Sequence, residues 1–247
     1  MTSRLSSPVA IVTGASRGIG AELARRLAAD GHAVVVNYAS SGTEADALVA
    51  ELRAGGARAI AVQADVSKAD EVRALFDATE QRLGKADVLV NNAGVLKTVP
   101  LAQTSDELYD RTFDTNVRGT FNTLREAATR LNDGGRIVNF SSTTVALNLP
   151  GYSVYIASKA AVESLTQVFA KELRGRRITV NAVAPGPVAT ALFFDGKTPE
   201  QIQAHAQMPP LQRLGEPGDI ASVVGFLVSP AGGWVNGQVL RANGGLA

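Results

Sequence analysis

Tyr155 and Lys159 stand four residues apart at the start of the helix-like stretch Val154 to Leu173. An i, i+4 pair shares one helix face, which brings the ammonium beside the phenol. A free phenol, with a pKa of about 10, is a poor proton shuttle at neutral pH. A neighbouring cation favours the phenolate and is expected to lower that value, making Tyr155 a usable general acid or base. Ser142 lies thirteen residues before Tyr155, at the end of a β-branched run, and its hydroxyl suits a hydrogen bond to a substrate carbonyl oxygen. Ser141 competes for that role, but side chains alternate along a strand, so only one of the two faces the site. Asn116 sits inside a long helical run and is placed to hold a water that relays protons to Lys159.

A second cluster supplies a different chemistry. The run Thr13-Gly14-Ala15-Ser16-Arg17-Gly18-Ile19-Gly20 follows the first apolar strand and leads straight into a helix. Residues without a Cβ allow a tight turn and close approach to a pyrophosphate, which a helix N-terminus favours electrostatically. The spacing is G-x-x-x-G-x-G, not the G-x-G-x-x-G of the usual dinucleotide fingerprint. At the end of the second strand, Asn37-Tyr38-Ala39-Ser40-Ser41 carries no acidic group to hold a ribose 2′-hydroxyl or repel a 2′-phosphate. Arg17 offers a cation for that phosphate, and Asn37, Ser40 and Ser41 offer donors, so the expected cofactor is NADP. Asp65, after the third strand, is expected to accept from an adenine amino group. Small residues such as Asn91 and Ala93, after the fourth strand, let the chain pass close to the cofactor.

Positioning these groups falls to an alternation of short β-branched runs and longer amphipathic stretches. Strands are predicted over Val9–Thr13, Ala33–Tyr38, Arg58–Gln63, Asp87–Asn91, Arg136–Ser141, Thr179–Val183 and Gln238–Leu240. Helices are predicted over Gly18–Asp30, Gly42–Ala54, Lys68–Leu83, Asp106–Leu131, Val154–Leu173 and Glu216–Val228. This alternation implies βαβ units and a parallel sheet, and Val34-Val35-Val36 and Val88-Leu89-Val90 are continuously apolar, as strands covered on both faces are. No linker, repeat or charge block divides the chain, so residues 1–247 are read as a single domain. The longer, irregular segment Pro185 to Pro210 is read as a substrate lid around 186–210.

Composition narrows the function. The chain of 247 residues is 45% hydrophobic and 19% charged, the mix of a globular protein with ample core. A net charge of +1 offers no field for nucleic acid or an anionic membrane surface. With no Cys and two unlinked histidines, His32 and His205, there is no disulfide, no thiolate nucleophile and no expected metal site. The apolar run Val9-Ala10-Ile11-Val12 is too short for an export signal, and no stretch is long enough for a membrane helix, so a cytoplasmic location is expected.

Taken in order, the glycine loop, Asn91-Asn92-Ala93-Gly94, Asn116, Ser142, Tyr155-x-x-x-Lys159, Pro185-Gly186, Arg213-Leu214-Gly215 and Asn243-Gly244-Gly245 resemble the short-chain dehydrogenase/reductase family across nearly the whole chain. The nearest resemblance is to 3-oxoacyl-(acyl-carrier-protein) reductases and related NADPH-dependent carbonyl reductases, although the segment Arg241 to Ala247 is unlike the former. The resemblance implies a Rossmann-type, doubly wound, seven-stranded parallel sheet flanked by helices, and commonly a homotetramer. Gly14, Ser16, Gly18, Ile19 and Gly20 would hold the pyrophosphate, with Arg17 near the 2′-phosphate. Asp65 and Val66 would flank the adenine, while Asn92, Ala93 and Gly94 would adjoin a ribose. Pro185, Gly186, Val188 and Thr190 would meet the nicotinamide end, with Thr190 at its carboxamide. Tyr155 would be the acid and Ser142 would orient the carbonyl. Lys159 would bind ribose hydroxyls and tune Tyr155, and Asn116 would anchor the relay water.

The function expected is NADPH-dependent hydride transfer to a ketone or aldehyde, a small-molecule carbonyl substrate. Val95, Leu96, Leu149, Tyr152, Leu192, Phe193 and Phe194 are expected to wall its apolar pocket. Two alternatives stand beside it: NAD-dependent oxidation of a secondary alcohol, and a non-catalytic sensor of NADP.

Overall fold

The computed structural model describes residues 7–247. Seven parallel strands form one sheet in the order β3-β2-β1-β4-β5-β6-β7. They are β1 (Val9–Val12), β2 (Ala33–Tyr38), β3 (Ala59–Gln63), β4 (Val88–Asn91), β5 (Arg136–Phe140), β6 (Thr179–Pro185) and β7 (Val239–Ala242). Register is set by pairs such as Val9 with Ala33 and Ala10 with Val88, which place β1 between β2 and β4.

Side-chain alternation explains why the strands are largely apolar. Ala10 and Val12 of β1 enter a core shared with α1 (Gly18–Ala29), α2 (Gly42–Ala54) and α10 (Pro217–Val228). Val9 and Ile11 point the other way, into a core shared with α3 (Ala69–Arg82), α5 (Gly119–Arg130) and α7 (Ser153–Glu172). With both faces covered, a strand position must be apolar or, like Asn37, Asn91, Asn139 and Asn181, hydrogen-bonded. The chain runs from β1 outward to β3, then returns through α3 to β4. The carboxyl ends of β1 and β4 therefore flank the point where strand order reverses, the crevice in which open α/β sheets bind ligands.

Two segments differ from the sequence expectation. The single helix predicted over Asp106–Leu131 is α4 (Asp106–Phe113), a π-helical turn (Asp114–Arg118) and α5. The wider turn carries Asn116 inward, where its Oδ1 accepts from the Val95 amide at 2.8 Å and its Nδ2 donates to the Val95 carbonyl at 3.0 Å. That two-way grip on a neighbouring chain offsets the irregular helix bonding. The segment expected to be irregular, Pro185 to Pro210, contains α8 (Ala191–Phe194) and α9 (Pro199–Gln207). Thr198 and Gln201 form a reciprocal capping box with Pro199 in the first turn of α9. A further short helix, α6 (Thr144–Leu147), and α9 leave the described residues without any helix long and apolar enough to cross a membrane.

Candidate active site and cofactor cleft

The glycine loop is shaped by backbone conformations that other residues resist. Gly14 has φ of 60° and Gly18 of 57°, in the left-handed region. A Cβ on Gly14 would lie 2.9 Å from the Ala93 Cα, and one on Gly20 would meet the Gly14 carbonyl and the Asn92 amide. Asn92 closes this packing from β4, donating through Nδ2 to the Thr13 carbonyl at 2.9 Å and the Gly14 carbonyl at 3.0 Å. The Thr13 hydroxyl in turn accepts from the Asn92 and Ala93 amides, both at 3.1 Å.

Above the loop runs a cleft of about 810 Å³. Gly14, Ser16, Arg17, Gly18, Ile19, Gly20, Asn37, Ser40, Ser41, Asp65, Val66, Asn92, Ala93, Gly94 and Thr190 all line it. Arg17 is exposed and lines the cleft together with Ser40 and Ser41. Asn37 reaches the wall, but its donors are committed: it is 1% exposed, and Nδ2 donates to the Val62 and Ala64 carbonyls at 3.3 and 3.0 Å. Its Oδ1 accepts from the Gly14 amide at 3.3 Å, so Asn37 braces the glycine loop and offers no free donor. Asp65 uses one oxygen, Oδ1, for the Ser67 amide and hydroxyl, at 3.0 and 2.7 Å.

A second cavity, of about 200 Å³, opens at the ends of β5 and β6 and beneath α8 and α9. Ser142, Tyr155, Lys159, Pro185, Gly186, Val188 and Thr190 line it together, although sequence separates the first from the last by 48 positions (190 − 142). Ser142 hydrogen-bonds the Tyr155 hydroxyl and accepts from the Thr144 hydroxyl at 2.9 Å. The neighbouring Ser141 also lines the cavity, but it is 3% exposed and its hydroxyl donates to the Glu163 Oε1 at 2.5 Å. Lys159 is 5% exposed and donates to the Phe140 carbonyl at 2.8 Å.

The pKa values depart from the sequence expectation. Desolvation lifts the Tyr155 phenol to about 12, outweighing the opposite pull of its hydrogen bond with Ser142. Burial lowers the Lys159 ammonium to about 8. Lys159 does not bring the phenol down because its Nζ bonds the Phe140 carbonyl and stands 5.8 Å from the centre of the Tyr155 ring. Tyr155 thus keeps its proton at neutral pH, as an acid must.

Asn116 does not line either cavity. It is 1% exposed, and beyond Val95 its Nδ2 also donates to the Ser158 hydroxyl at 3.0 Å. Ser158 bonds the Tyr155 carbonyl at 2.7 Å, so Asn116 ties the π-turn to the first turn of α7. Gly94 lies between: a Cβ there would come within 3.2 Å of the Asn116 Oδ1 and 3.4 Å of the Lys159 Nζ. Asn91, expected to ease passage of the cofactor, is instead 4% exposed and donates to the Asn139 Oδ1 at 2.8 Å. Asn139 donates onward to Thr166 at 2.8 Å, a buried polar chain fixing β4 and β5 against α7.

Of the expected apolar wall, Val95, Leu96, Leu149, Tyr152, Leu192 and Phe193 line the substrate cavity, while Phe194 turns away and is 40% exposed. Sequence reasoning missed Thr144, Leu147, Lys197, His205, Met208 and Leu246, which also line it. The capping box of α9 is the local signal that would have placed Lys197 just before a helix start, with His205 in that helix's last turn.

Comparisons with known proteins bear on this geometry. A family model described as enoyl-(acyl carrier protein) reductase matches residues 14–247. A short-chain type dehydrogenase/reductase from Picea abies is 48% identical, over 98% of this chain and 93% of its own length. An NADPH-dependent aldehyde reductase-like protein, chloroplastic, from Arabidopsis thaliana is 45% identical, over 98% of this chain and 94% of its own. Among solved structures, the blue fluorescent protein from a metagenomic library, in complex with NADPH, superposes with a TM-score of 0.93 at 41% identity, covering 98% of this chain and 99% of that one. Chain-long identity at this level, with the same sheet, means that the protein belongs to the short-chain dehydrogenase/reductase family.

Proposed function

We propose that the protein is an NADPH-dependent reductase of ketone or aldehyde carbonyls. The observation that carries this reading is the hydrogen-bonded pair Ser142 and Tyr155 in a mostly apolar cavity that adjoins the glycine-lined cleft. The cleft fits a dinucleotide because Gly14 and Gly20 leave no room for a side chain where a pyrophosphate needs backbone contact. Arg17, Ser40 and Ser41 would hold the 2′-phosphate; the NADPH named in the Arabidopsis relative and in the metagenomic structure supports that choice. When bound, NADPH supplies the hydride. Ser142 and Tyr155 both donate to the carbonyl oxygen, placing hydrogen bonds where negative charge develops. Tyr155, with a pKa of about 12, passes its proton to the nascent alkoxide. Lys159 keeps a cation behind the phenol and has donors left for ribose hydroxyls. Asn116 holds Val95 and the start of α7, keeping Tyr155 and the cavity wall in register. Any relay water at Asn116 would rest on its main-chain carbonyl, because both amide atoms are spent.

The same reading takes α8 and α9 as a lid over the substrate. It extends to a homotetramer acting in the cytoplasm. Support for assembly comes from exposed large apolar side chains, Phe121 on α5, Val168 on α7, Phe226 on α10 and Trp234 before β7. Sedimentation of the purified protein tests the assembly, and cell fractionation tests the location.

The deciding assay follows loss of NADPH absorbance with a panel of aldehydes, ketones and β-ketoesters, with NADH alongside. Turnover with NADPH that is abolished in Tyr155→Phe supports the reading. A preference for NADH with secondary alcohols would overturn it in favour of a dehydrogenase. Tight NADPH binding with no turnover of any carbonyl would favour a sensor.

A further inference from the structure

The substrate cavity is apolar along Leu147, Leu149, Leu192 and Met208, yet its charged groups are all of one sign. No Asp or Glu lines it, while Lys159, Lys197 and His205 do. Lys159 belongs to the catalytic end, beside Tyr155, and donates to the Phe140 carbonyl. Lys197 is different: it sits between α8 and α9, half-buried, donating to the Phe193 carbonyl at 2.7 Å with its Nζ 4.8 Å from the centre of the Phe193 ring. An ammonium has three donors, so others remain. The ion pairs among the described residues do not include it, and its acidic sequence neighbours Asp195 and Glu200 are both exposed. His205 packs edge-on against the same ring at 5.5 Å and holds the Gln201 carbonyl through Nδ1 at 2.7 Å. Its Nε2 has no hydrogen-bond partner among the described residues.

An ammonium held against an aromatic ring, facing an apolar cavity with no carboxylate, is a site for an anion that arrives on an apolar body. Partial desolvation strengthens such a charge-assisted bond beyond its surface value. We propose that Lys197, with His205 beside it, selects carbonyl substrates that carry a carboxylate, held at the lid while the carbonyl meets Ser142 and Tyr155. This rests on the reductase reading and names the substrate class it leaves open. Lys197 is then a specificity residue, not a catalytic one, because it stands on the lid and not among Ser142, Tyr155 and Lys159.

The competing role is a purely structural cap on the last turn of α8, which would affect all substrates alike. The test compares para-acetylbenzoate with its methyl ester, in wild type and Lys197→Met. Wild type is expected to favour the acid by about tenfold or more in kcat/KM, the scale of one charge-assisted hydrogen bond. Lys197→Met should bring that ratio to about one through KM, with ester turnover changed less than about twofold; Lys197→Arg should restore much of the preference. Equal loss on acid and ester in Lys197→Met, or no acid preference in wild type, overturns the proposal and leaves the reductase reading standing. Should neither compound turn over, calorimetry on the NADPH-loaded protein with para-ethylbenzoate and para-ethylbenzamide decides. Tighter binding of the carboxylate, lost in Lys197→Met, upholds the anion site while the reductase reading fails for these ketones. Equal binding of the two overturns the anion site.

Discussion

The cofactor cleft and the substrate cavity share an edge made by Ile19, Asn92, Gly94, Val95, Thr190 and Leu192, but they are built by different means. The floor of the cleft is made largely of backbone and small residues at the ends of β1, β2, β3 and β4, with Glu107, Asp110, Arg111 and Asp114 on another wall, and the glycine loop is held by backbone conformation and side-chain braces. Gly14 and Gly18 hold positive φ, and Asn92 and Asn37 spend their side chains on the loop. The cavity takes its floor from β5 and α7 and its roof from α8 and α9, whose side chains hold one another, as Phe193 is held by Lys197 and His205. One half can change only if the backbone changes. The other can exchange side chains while the sheet stays put, which is how one fold serves many carbonyl compounds.

The largest effect should come in the cavity half, at Tyr155. Tyr155→Phe removes the proton donor and leaves the ring in place, so kcat for carbonyl reduction should fall by roughly 10²–10⁴-fold, the range of general acid catalysis. NADPH affinity, measured by fluorescence titration, should be nearly unchanged. A variant retaining more than a tenth of wild-type kcat would show that the proton comes from some other donor.

Lys159 offers a comparison between function and stability at one buried atom. Burial disfavours its charged form, taking its pKa from 10.5 to about 8. Between those values the unfolded chain binds more protons than the folded one, so stability rises with pH through that window. The full effect is roughly 3 kcal/mol, present as a penalty below pH 8. Above the ordinary phenol value Tyr155 works in the opposite sense, since its raised pKa keeps a proton that the unfolded chain has lost. Lys159→Met should therefore be more stable than wild type to urea at pH 7, with the advantage shrinking toward pH 10. A difference that stays flat with pH would mean the ammonium is not desolvated in solution.

Arg17 sharpens the contrast from the cleft side. It is exposed and lines the cleft; if it holds the 2′-phosphate as proposed, Arg17→Ala should lower kcat/KM for NADPH by about tenfold, in line with a single charge-assisted hydrogen bond. NADH, which lacks the 2′-phosphate, should be almost unaffected. A parallel loss with both cofactors would place Arg17 in the pyrophosphate loop's architecture instead.

The same division governs what can be read from sequence. The strands are legible because both faces are buried and most of their positions are apolar; the cleft follows because glycines with positive φ occur at fixed offsets after a strand. Tyr155 and Lys159 are legible since one helix carries both. Asn37 and Asn91 mislead: a polar residue at a strand end looks identical whether it faces a ligand or braces the next loop, and only the Val62, Ala64 and Asn139 partners distinguish the two. The break of the helix at Asn116 is invisible because its cause, the Val95 backbone, lies 21 residues earlier. The lowered phenol pKa expected from Lys159 fails for a similar reason, as the Phe140 carbonyl that engages the ammonium comes from another element. Lys197 and His205 become cavity residues only through the packing of α8 on α9.

The smallest effect should come from within α8, where only one of two adjacent phenylalanines lines the cavity. Phe193 lines the cavity, 5.5 Å from the His205 ring, whereas Phe194 is 40% exposed and lines nothing. The two rings also meet edge-on at 5.5 Å. Phe193→Ala removes apolar wall and the surface on which Lys197 rests, so KM for any bulky carbonyl should rise by several-fold, and the lost burial should cost roughly 1 kcal/mol of stability. Phe194→Ala leaves the cavity wall intact and costs only the shared ring edge, so KM should stay within about twofold and the stability change near 0.5 kcal/mol. Equal effects from the two variants would mean that α8 turns on closing over the substrate and brings Phe194 inward. Such a turn would make the lid, unlike the cleft, a part of the site whose working geometry is assembled only when the substrate arrives.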